Sequence, residues 1–232
     1  MTPLKTKISF LFAILLFSGI ILRAQEPDPY AIIDSVSNRL GKINDYQADI
    51  EIEVDVDFIR MPVKHARIFY KKPDIIKFES DEFIMLPKRG FDKQVTDILN
   101  EPYSAIYLGR EELNGRQHDM IRIVPLGKRP DVILATWWID PEKFLIARNE
   151  STMKKEGNFT VEFIYGDPGI SLPTEMIFTI EIEKFSLPLK FIGKSEGLDI
   201  DREKMKGSNT GKVYIRFDHY SINTSMTEDI FH

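Results

Sequence analysis

The chain of 232 residues contains no cysteine. It therefore has no disulfide framework, no thiolate nucleophile and no cysteine ligand for a metal. A chain of this length can bury a core large enough to fold without covalent crosslinks. We expect one β-rich domain over residues 25–232 that is held together by its hydrophobic core.

Motifs for catalysis, metal binding and phosphate binding are also missing. The letters Gly-x-Ser-x-Gly occur once, at residues 193–197, within the charged, glycine-rich part of 185–210 and without the strand-to-helix turn that an elbow needs; no glycine-rich loop opens a helix. The four histidines are far apart and show neither His-x-x-x-His nor His-Glu-x-x-His spacing. We therefore predict no catalytic residue, no metal ligand, no cofactor and no enzymatic activity. A hydrolase that uses unrecognised carboxylates ranks far behind.

Excess positive charge is lacking after the N-terminal segment. Residues 25–232 hold 28 Lys and Arg against 36 Asp and Glu, a net charge of −8. This balance argues against nucleic acid as a partner. It also argues against simple adhesion to anionic membranes.

The N-terminal 24 residues resemble a secretory signal peptide. Lys5 and Lys7 precede an apolar run from residue 8 to residue 22, and Ala24 offers a small residue at the cleavage point. The run is shorter than the ~20 residues that a membrane span needs, so we favour cleavage near Ala24 over an uncleaved anchor. We expect a periplasmic protein, without a lipid on its N-terminus because no cysteine follows.

The mature chain begins with a helix and then changes to strands. Apolar residues recur every three or four positions over 28–43, with Asp28 as N-cap and Pro29 at the first helical position. Strict alternation then predicts a strand over 46–60 with one dry face and one acidic face. Further short strands with brief turns predict an antiparallel meander. Residues 185–210 break this pattern and predict a long loop with a short helix, which offers apolar residues for a membrane or acceptor contact.

Four stretches resemble one known family. IFYKKPDIIKFES at 68–80 follows a helix and a long strand, and TWWIDPEKFLIARNES, LPTEMIF and GKVYIRFDHYSINTSMTEDIF come later in the same order. Together they resemble the periplasmic carriers of outer-membrane lipoproteins, the LolA-like family, over most of residues 28–231. Each stretch alone is weakly specific, and their order and spacing carry the resemblance.

The resemblance implies a fold and a function. The fold is mainly β with an N-terminal helix: a half-open, strongly curved antiparallel barrel whose helix forms a lid on the concave face. The function is that of a periplasmic carrier, expected as a monomer, which binds acyl chains of a lipoprotein or lipid. It would accept them from an inner-membrane donor complex and deliver them to an outer-membrane acceptor. The alternative is a lipid-sensing regulatory module of the same fold.

The residues expected to line the cavity are apolar residues on the inner faces of the helix and strands. They are Ile33, Val36, Leu40, Ile50, Ile52, Val54, Val56, Phe58, Phe78 and Trp138. Because a filled core demands the same side chains, both interpretations stay open. In the family an arginine before the proline binds the lid; the matching residue here is Lys72, which keeps the charge but not the planar fork. Lys72 is therefore either a lid latch or a solvated turn residue.

Overall fold

The structure is a computed structural model, and it describes part of the chain. The described residues are 26–73, 75–81, 84–87, 98–99, 101–127, 132–154, 157–166, 169–181, 189–192, 199–201 and 210–231. The expected signal peptide at 1–24 lies outside them, so this prediction and the domain division stay predictions. Among the described helices, none is long and apolar enough to cross a membrane.

One α-helix, α1 (Pro29–Leu40), precedes the sheet, as the apolar spacing predicted. The Asp28 side chain accepts a hydrogen bond from the backbone N–H of Tyr30, which caps the first turn. At the other end, the N–H of Gly41 donates to the carbonyl of Ser37 at 2.7 Å. Ile32, Ile33 and Val36 are the buried residues of the helix.

Fourteen strands are described, together with a short 3₁₀ helix at Glu228–Phe231. They are β1 (Asp45–Asp55), β2 (Ile59–Arg60), β3 (Lys64–Lys71), β4 (Ile75–Glu79), β5 (Ile84–Pro87), β6 (Tyr103–Leu113), β7 (Arg116–Pro125), β8 (Val132–Ile139), β9 (Ile146–Met153), β10 (Gly157–Ile164), β11 (Glu175–Glu181), β12 (Leu189–Ile192), β13 (Asp199–Ile200) and β14 (Thr210–Ile222).

Ten of these strands form one antiparallel sheet in the order β4-β3-β1-β14-β11-β10-β9-β8-β7-β6. From β6 to β11 the order follows the chain, as expected for a meander. β14 returns to pair with both β1 and β11. No pairing between the terminal strands β4 and β6 occurs among the described residues, so the sheet stays open. The predicted half-open barrel with a helix on its concave face is confirmed.

The first long strand is shorter than its alternation predicted. β1 ends at Asp55, and Val56 and Ile59 then form an isolated bridge across a tight turn, with the N–H of Ile59 donating to the carbonyl of Val56 at 2.8 Å. The predicted strand over 46–60 was wrong beyond Asp55. Val56 and Phe58 are buried as the alternation requires, so the pattern alone did not reveal the turn.

The two predicted hairpins are present. Asn114 and Gly115, both with positive φ, connect β6 to β7, which is the turn that Asn-Gly favours. Between β8 and β9 the Asp140 carboxylate accepts hydrogen bonds from the N–H groups of Glu142 and Lys143, both at 2.9 Å. These turns fix the register of the strands on either side.

The segment 185–210 differs from its prediction in the part that is described. β12 pairs with β5, and β13 pairs with β2, so this segment contributes two short strands. Residues 185–188, 193–198 and 202–209 of this segment lie outside the described residues, so the short helix and the apolar contact for a membrane or acceptor stay predictions. Pairing with distant strands is not visible in local sequence, because propensity reports only neighbours along the chain.

The inner face of the sheet, which α1 covers, carries two hydrophobic clusters. Cluster A is built from β1, β3, β11 and β14, and Ile52, Ile68 and Ile215 at its centre are fully buried. Cluster B joins α1 to β7, β8 and β9, with Trp137 fully buried. The helix therefore packs directly on one half of the sheet and leaves its C-terminal end over the border between the two clusters.

Candidate functional site

A cavity of about 310 Å³ lies at that border, between the C-terminal half of α1 and the inner face of the sheet. Its walls come from α1, the ends of β1 and β3, the middle of the sheet and the segment before β11. The lining residues are mainly apolar or aromatic: Val36, Ser37, Leu40, Gly41, Ile43, Tyr46, Tyr70, Lys72, Pro73, Leu99, Phe144, Leu145, Ile146, Phe163, Tyr165, Ser171, Leu172, Pro173, Met176, Phe217 and Tyr220.

Four aromatic rings, which we call the aromatic wall, form one side of the cavity: Tyr46, Tyr70, Phe217 and Tyr220. Tyr46 stacks on Tyr70 with ring centroids 5.2 Å apart and meets Tyr220 edge to face at 5.8 Å. Phe217 stacks on Tyr220 at 5.8 Å. Such packing of large rings gives a rigid apolar surface.

A local irregularity in β14 brings Tyr220 into this wall. The register between β1 and β14 shifts between Gln47 and Asp49, and His219 adopts a positive φ of 53°. Phe217 and Tyr220 would point to opposite faces in a regular strand because they are three residues apart. The extra residue of the bulge turns both rings to the inner face.

Three of the four tyrosine hydroxyls in the lining donate to backbone carbonyls. Tyr220 donates to the carbonyl of Pro173 at 2.7 Å, Tyr165 to Ile146 at 3.0 Å and Tyr70 to Pro73 at 3.3 Å. Burial raises the pKa of both Tyr165 and Tyr220 above the ordinary tyrosine value, so both stay neutral at physiological pH. The cavity therefore presents ring surfaces to a ligand, and these three hydroxyls already have partners.

Lys72 is the one charged residue among the described residues that line the cavity. Its ammonium group donates to the carbonyl of Gly41, at the C-terminus of α1, and lies 3.4 Å from the side-chain oxygen of Asn44. A cation at this end of a helix is favourable because the last carbonyls are unpaired and carry partial negative charge. The contact between Lys72 and the helix end exists; a latch function for it stays a prediction.

The lid helix has further contacts near both ends. Close to its N-terminus, the Tyr30 hydroxyl accepts a hydrogen bond from the N–H of Ala105 on β6, and its ring stacks on Tyr103 at 5.9 Å. Close to its C-terminus, Arg39 donates to the Ser171 hydroxyl at 3.0 Å. α1 therefore crosses the inner face from the terminal strand β6 towards β1 and β3.

The structure divides the predicted lining residues between cavity, clusters and outer face. Val36, Leu40 and Lys72 line the cavity. Ile33 is fully buried in cluster B. The residues predicted from the first long strand belong to cluster A, where all five are buried: Ile50, Ile52, Val54, Val56 and Phe58. Phe78 is half-buried at the edge of the same cluster.

Trp138 points away from the cavity. Its neighbour Trp137 belongs to cluster B, and adjacent residues of a strand face opposite sides, so Trp138 lies on the outer face of β8. There Arg148 lies over its ring at 5.2 Å and its indole N–H donates to Glu111 at 3.3 Å. These contacts account for its burial without any role in the cavity.

Sequence reasoning missed the aromatic wall, although part of its signal was present. Tyr46 lies on the same face of β1 as Ile50, so extending the alternation backwards would have included it. Tyr70 immediately precedes the Lys71-Lys72-Pro73 turn. The inward direction of Tyr220 depends on the bulge, and no local pattern predicts that displacement.

The described residues hold no group of three or more His, Asp or Glu side chains that could ligate a metal ion. The glutamates of β1 form ion pairs on the outer face of the sheet. Arg216 contacts Glu51 at 2.6 Å, Glu53 at 2.9 Å and Glu175 at 3.0 Å. These residues form a solvated ion-pair network, as the alternation of acidic residues on β1 indicated.

Comparison with known proteins identifies the fold. Over 88% of this chain and 97% of the other, the structure matches a domain described as an outer membrane lipoprotein-sorting protein from Vibrio parahaemolyticus, with a TM-score of 0.55 and 10% identity. A DUF1329 family protein from Desulfovibrio piger matches with a TM-score of 0.52 and 12% identity, over 89% of this chain and 98% of the other.

A LolA superfamily protein from Nitrosomonas europaea matches with a TM-score of 0.50 and 9% identity, again over 89% of this chain and 98% of the other. No family model matches the sequence. No curated protein matches it significantly either. The likeness therefore lies in the fold: the chain has the LolA-like open, curved sheet that the sequence resemblance implied.

Proposed function

Taking the LolA-like fold as the premise, we propose that this protein is a periplasmic carrier that binds acyl chains of lipids or lipoproteins and transfers them towards the outer membrane. The observation that carries the proposal is the apolar cavity of about 310 Å³ beneath the lid helix. Ligand cavities typically measure ~300–1,000 Å³, with mainly apolar walls and few polar groups. The paired tyrosine hydroxyls add support because they leave the aromatic wall as a hydrocarbon-like surface.

The chemistry of carriage is transfer of hydrocarbon, with no bond made or broken. Each methylene removed from water contributes about 0.8 kcal/mol, so a chain seated in the cavity is strongly retained. To deliver the chain, the protein must lose this stabilisation when it reaches the acceptor. A lid that opens exposes the bound chain to water and raises the free energy of the loaded state, which favours release to a membrane acceptor.

The lid helix supplies the moving part. Its C-terminal end is joined to β1 through the short segment 41–44, and Lys72 binds the carbonyl of Gly41 there. Its N-terminal end is attached to β6 through Tyr30 and Ala105. In this proposal Lys72 is the latch that holds the C-terminal end of α1 against the sheet, and opening begins where Tyr30 leaves β6.

The proposed route has two membrane partners. An inner-membrane donor loads the cavity, and an outer-membrane acceptor empties it, while the protein acts as a monomer between them. Export follows from the signal-peptide-like residues 1–24. The excess of acidic residues fits a carrier that must leave an anionic membrane surface after each transfer.

Filling the cavity tests the proposal directly. Leu172→Trp places a larger side chain at a half-buried lining position and should abolish binding of a neutral single-chain lipid such as monododecanoylglycerol, measured by titration calorimetry. Ile106→Trp is the matched control, because Ile106 is 51% exposed on β6. If Leu172→Trp folds normally and binds as well as the control, this cavity does not hold the acyl chain.

A second experiment separates carriage from sensing. Native mass spectrometry of the purified mature protein should find bound acyl material, and incubation with inner-membrane vesicles should yield a soluble protein–lipoprotein complex. A sensing module would retain lipid and bind a periplasmic partner domain without extracting lipoproteins. Protein that emerges free of lipid and extracts none would contradict the carrier function.

A further inference from the structure

The cavity wall carries a positive charge, although the chain as a whole is negatively charged. The sequence has 36 acidic residues and a net charge of −5, yet none of the described residues that line the cavity is Asp or Glu. Lys72 is the charged member of that lining. A hydrophobic cavity with a cation and no anion in its wall is electrostatically complementary to a ligand that is apolar along its length and negative at one end.

The ammonium group of Lys72 is available for such a ligand. Its partners are the carbonyl of Gly41 and the side-chain oxygen of Asn44, both uncharged. An ammonium carries three N–H donors, so these two acceptors leave one donor direction. Among the described residues no carboxylate lies within ion-pair distance of Lys72, and its charge is therefore not neutralised there.

A second cation reinforces this end of the cavity. The half-buried Arg39 donates to the hydroxyl of Ser171, which belongs to the lining, at 3.0 Å. Lys72 and Arg39 both contact groups at the C-terminal end of α1 or directly beside it. Arg39 therefore adds a second positive charge beside the lining, while the hydrocarbon part of a ligand extends along the aromatic wall.

The volume limits how much hydrocarbon can enter. An engineered cavity of ~150 Å³ holds benzene, so a cavity of twice that size accommodates roughly a dozen carbon atoms. That is the size of one alkyl chain of medium length or of part of a longer one. About 310 Å³ among the described residues therefore holds one such chain at a time, so a multiply acylated cargo would seat one of its chains here.

We propose that the preferred ligand of this cavity is a single-chain anionic amphiphile whose carboxylate or phosphate headgroup binds Lys72. The proposal rests on the proposed function, because it assumes that the cavity holds an acyl chain, and it adds the class of that ligand. The chain lies against the aromatic wall, and the headgroup oxygen accepts the remaining N–H of Lys72. The headgroup thus fixes the direction in which the chain enters.

The test compares headgroups on one chain length. Dodecanoate, dodecyl phosphate, monododecanoylglycerol and dodecyltrimethylammonium are titrated below their micelle concentrations by calorimetry. We expect the two anionic ligands to bind roughly five- to tenfold more tightly than the neutral one, and the cationic one to bind most weakly. The preference should decrease with added salt. The ratio between dodecanoate and dodecyl phosphate identifies the headgroup.

Variants of the two neighbouring lysines show which of them causes the preference for anionic ligands. Lys72→Gln should bring the ratio of anionic to neutral affinity down to about one, whatever happens to the affinity for monododecanoylglycerol itself, and Lys72→Arg should restore the ratio. Lys71→Gln is the matched control, because the Lys71 ammonium donates to the carbonyl of Met226 at 3.1 Å and is not part of the lining. Lys71→Gln should keep the wild-type preference.

The outcomes separate this inference from the proposed function. If all four ligands bind equally well, or if Lys72→Gln keeps the anionic preference, the headgroup assignment is overturned and the cavity still holds a chain. If none of the four binds, both proposals fail. Binding of the neutral ligand alone supports the carrier and rejects the anionic ligand class.

Discussion

The hydroxyl of Tyr30 accepts a hydrogen bond from the backbone N–H of Ala105 at 3.2 Å, which ties the N-terminal end of the lid helix to the terminal strand of the sheet. The opposite end of the helix contacts Lys72 through the carbonyl of Gly41. These two contacts have different consequences. Gly41 stays close to β1 because the chain connects them, whereas the contact between Tyr30 and Ala105 has no such covalent support.

Tyr30→Phe should loosen the lid without unfolding the protein. The change removes one hydrogen bond acceptor and keeps the stacking on Tyr103, so closure should weaken by about 0.5–1.5 kcal/mol. Amide hydrogen exchange in α1 should accelerate roughly two- to tenfold, in line with that free-energy change, while the denaturant midpoint changes little.

The control for this variant is Tyr214→Phe. Tyr214 lies between the buried Val213 and Ile215 of β14, so its ring points to the outer face, where Arg216 lies over it. Loss of its hydroxyl should leave exchange in α1 unchanged. Equal exchange in α1 for wild type and Tyr30→Phe would show that this hydrogen bond does not hold the lid.

Ile52→Ala should destabilise the fold and leave the cavity intact. Ile52 is fully buried at the centre of cluster A and is absent from the cavity lining, so truncation costs about 2–4 kcal/mol of unfolding free energy. Urea unfolding measures this loss, and Ile164→Ala, at a position that is 41% exposed, should stay within about 0.5 kcal/mol of wild type. A large loss of chain binding in folded Ile52→Ala protein would place Ile52 in the binding site after all.

Asp45→Ala should release the C-terminal segment from the start of β1. The buried Asp45 carboxylate accepts hydrogen bonds from the N–H groups of Thr224 and Ser225, at 2.8 and 3.1 Å. Removing it leaves these donors without their acceptor and should cost about 1.5–3 kcal/mol in urea unfolding. Asp45→Asn keeps one oxygen and should lose less, and the exposed Asp57→Ala should lose little. Equal stability of Asp45→Ala and wild type would mean that water replaces the carboxylate at no cost.

Asp140→Asn should remove a pH-dependent part of the stability. Burial acts to raise the pKa of Asp140, but the backbone N–H groups of Lys143 and Glu142 and the charge of Arg116 outweigh it and lower that pKa. A lowered carboxylate pKa stabilises the fold above the unfolded value of 3.8, and this contribution is lost as the pH falls through the folded pKa.

The stability difference between wild type and Asp140→Asn should therefore be largest near neutral pH, at about 1 kcal/mol, and shrink below pH ~4. Urea midpoints measured from neutral to acidic pH check this. The exposed Asp55→Asn serves as the matched variant. A difference that stays constant with pH would show that the turn uses only the acceptor geometry of residue 140, and not its charge.

Most elements of the fold followed from local patterns. The spacing of Ile32, Ile33 and Val36 predicted the helix, and Asn114-Gly115 predicted its hairpin, because periodicity and turn chemistry act within a few residues. The strand beyond Asp55 was predicted wrongly for the same reason: Val56 and Phe58 keep the apolar phase although the chain has turned.

The candidate site was less accessible to sequence reasoning. Ile50 and Ile52 carry the same inward alternation as Tyr46, yet the first two lie in a filled core and the third borders the cavity. Burial demands apolar side chains in both places, so composition does not separate them. The separation depends on where the lid helix ends and where β14 has its bulge.

The sequence by itself determined the class of this protein: a β-rich chain with one capped helix, no thiol chemistry and an acidic surface, because these properties depend on residue types and short-range spacing. Tertiary structure alone decided that β14 pairs with β1, that Tyr220 turns inwards beside Tyr46, and that Lys72 meets Gly41. Each of these joins residues that are distant in sequence, and their contacts depend on the curvature and register of the whole sheet.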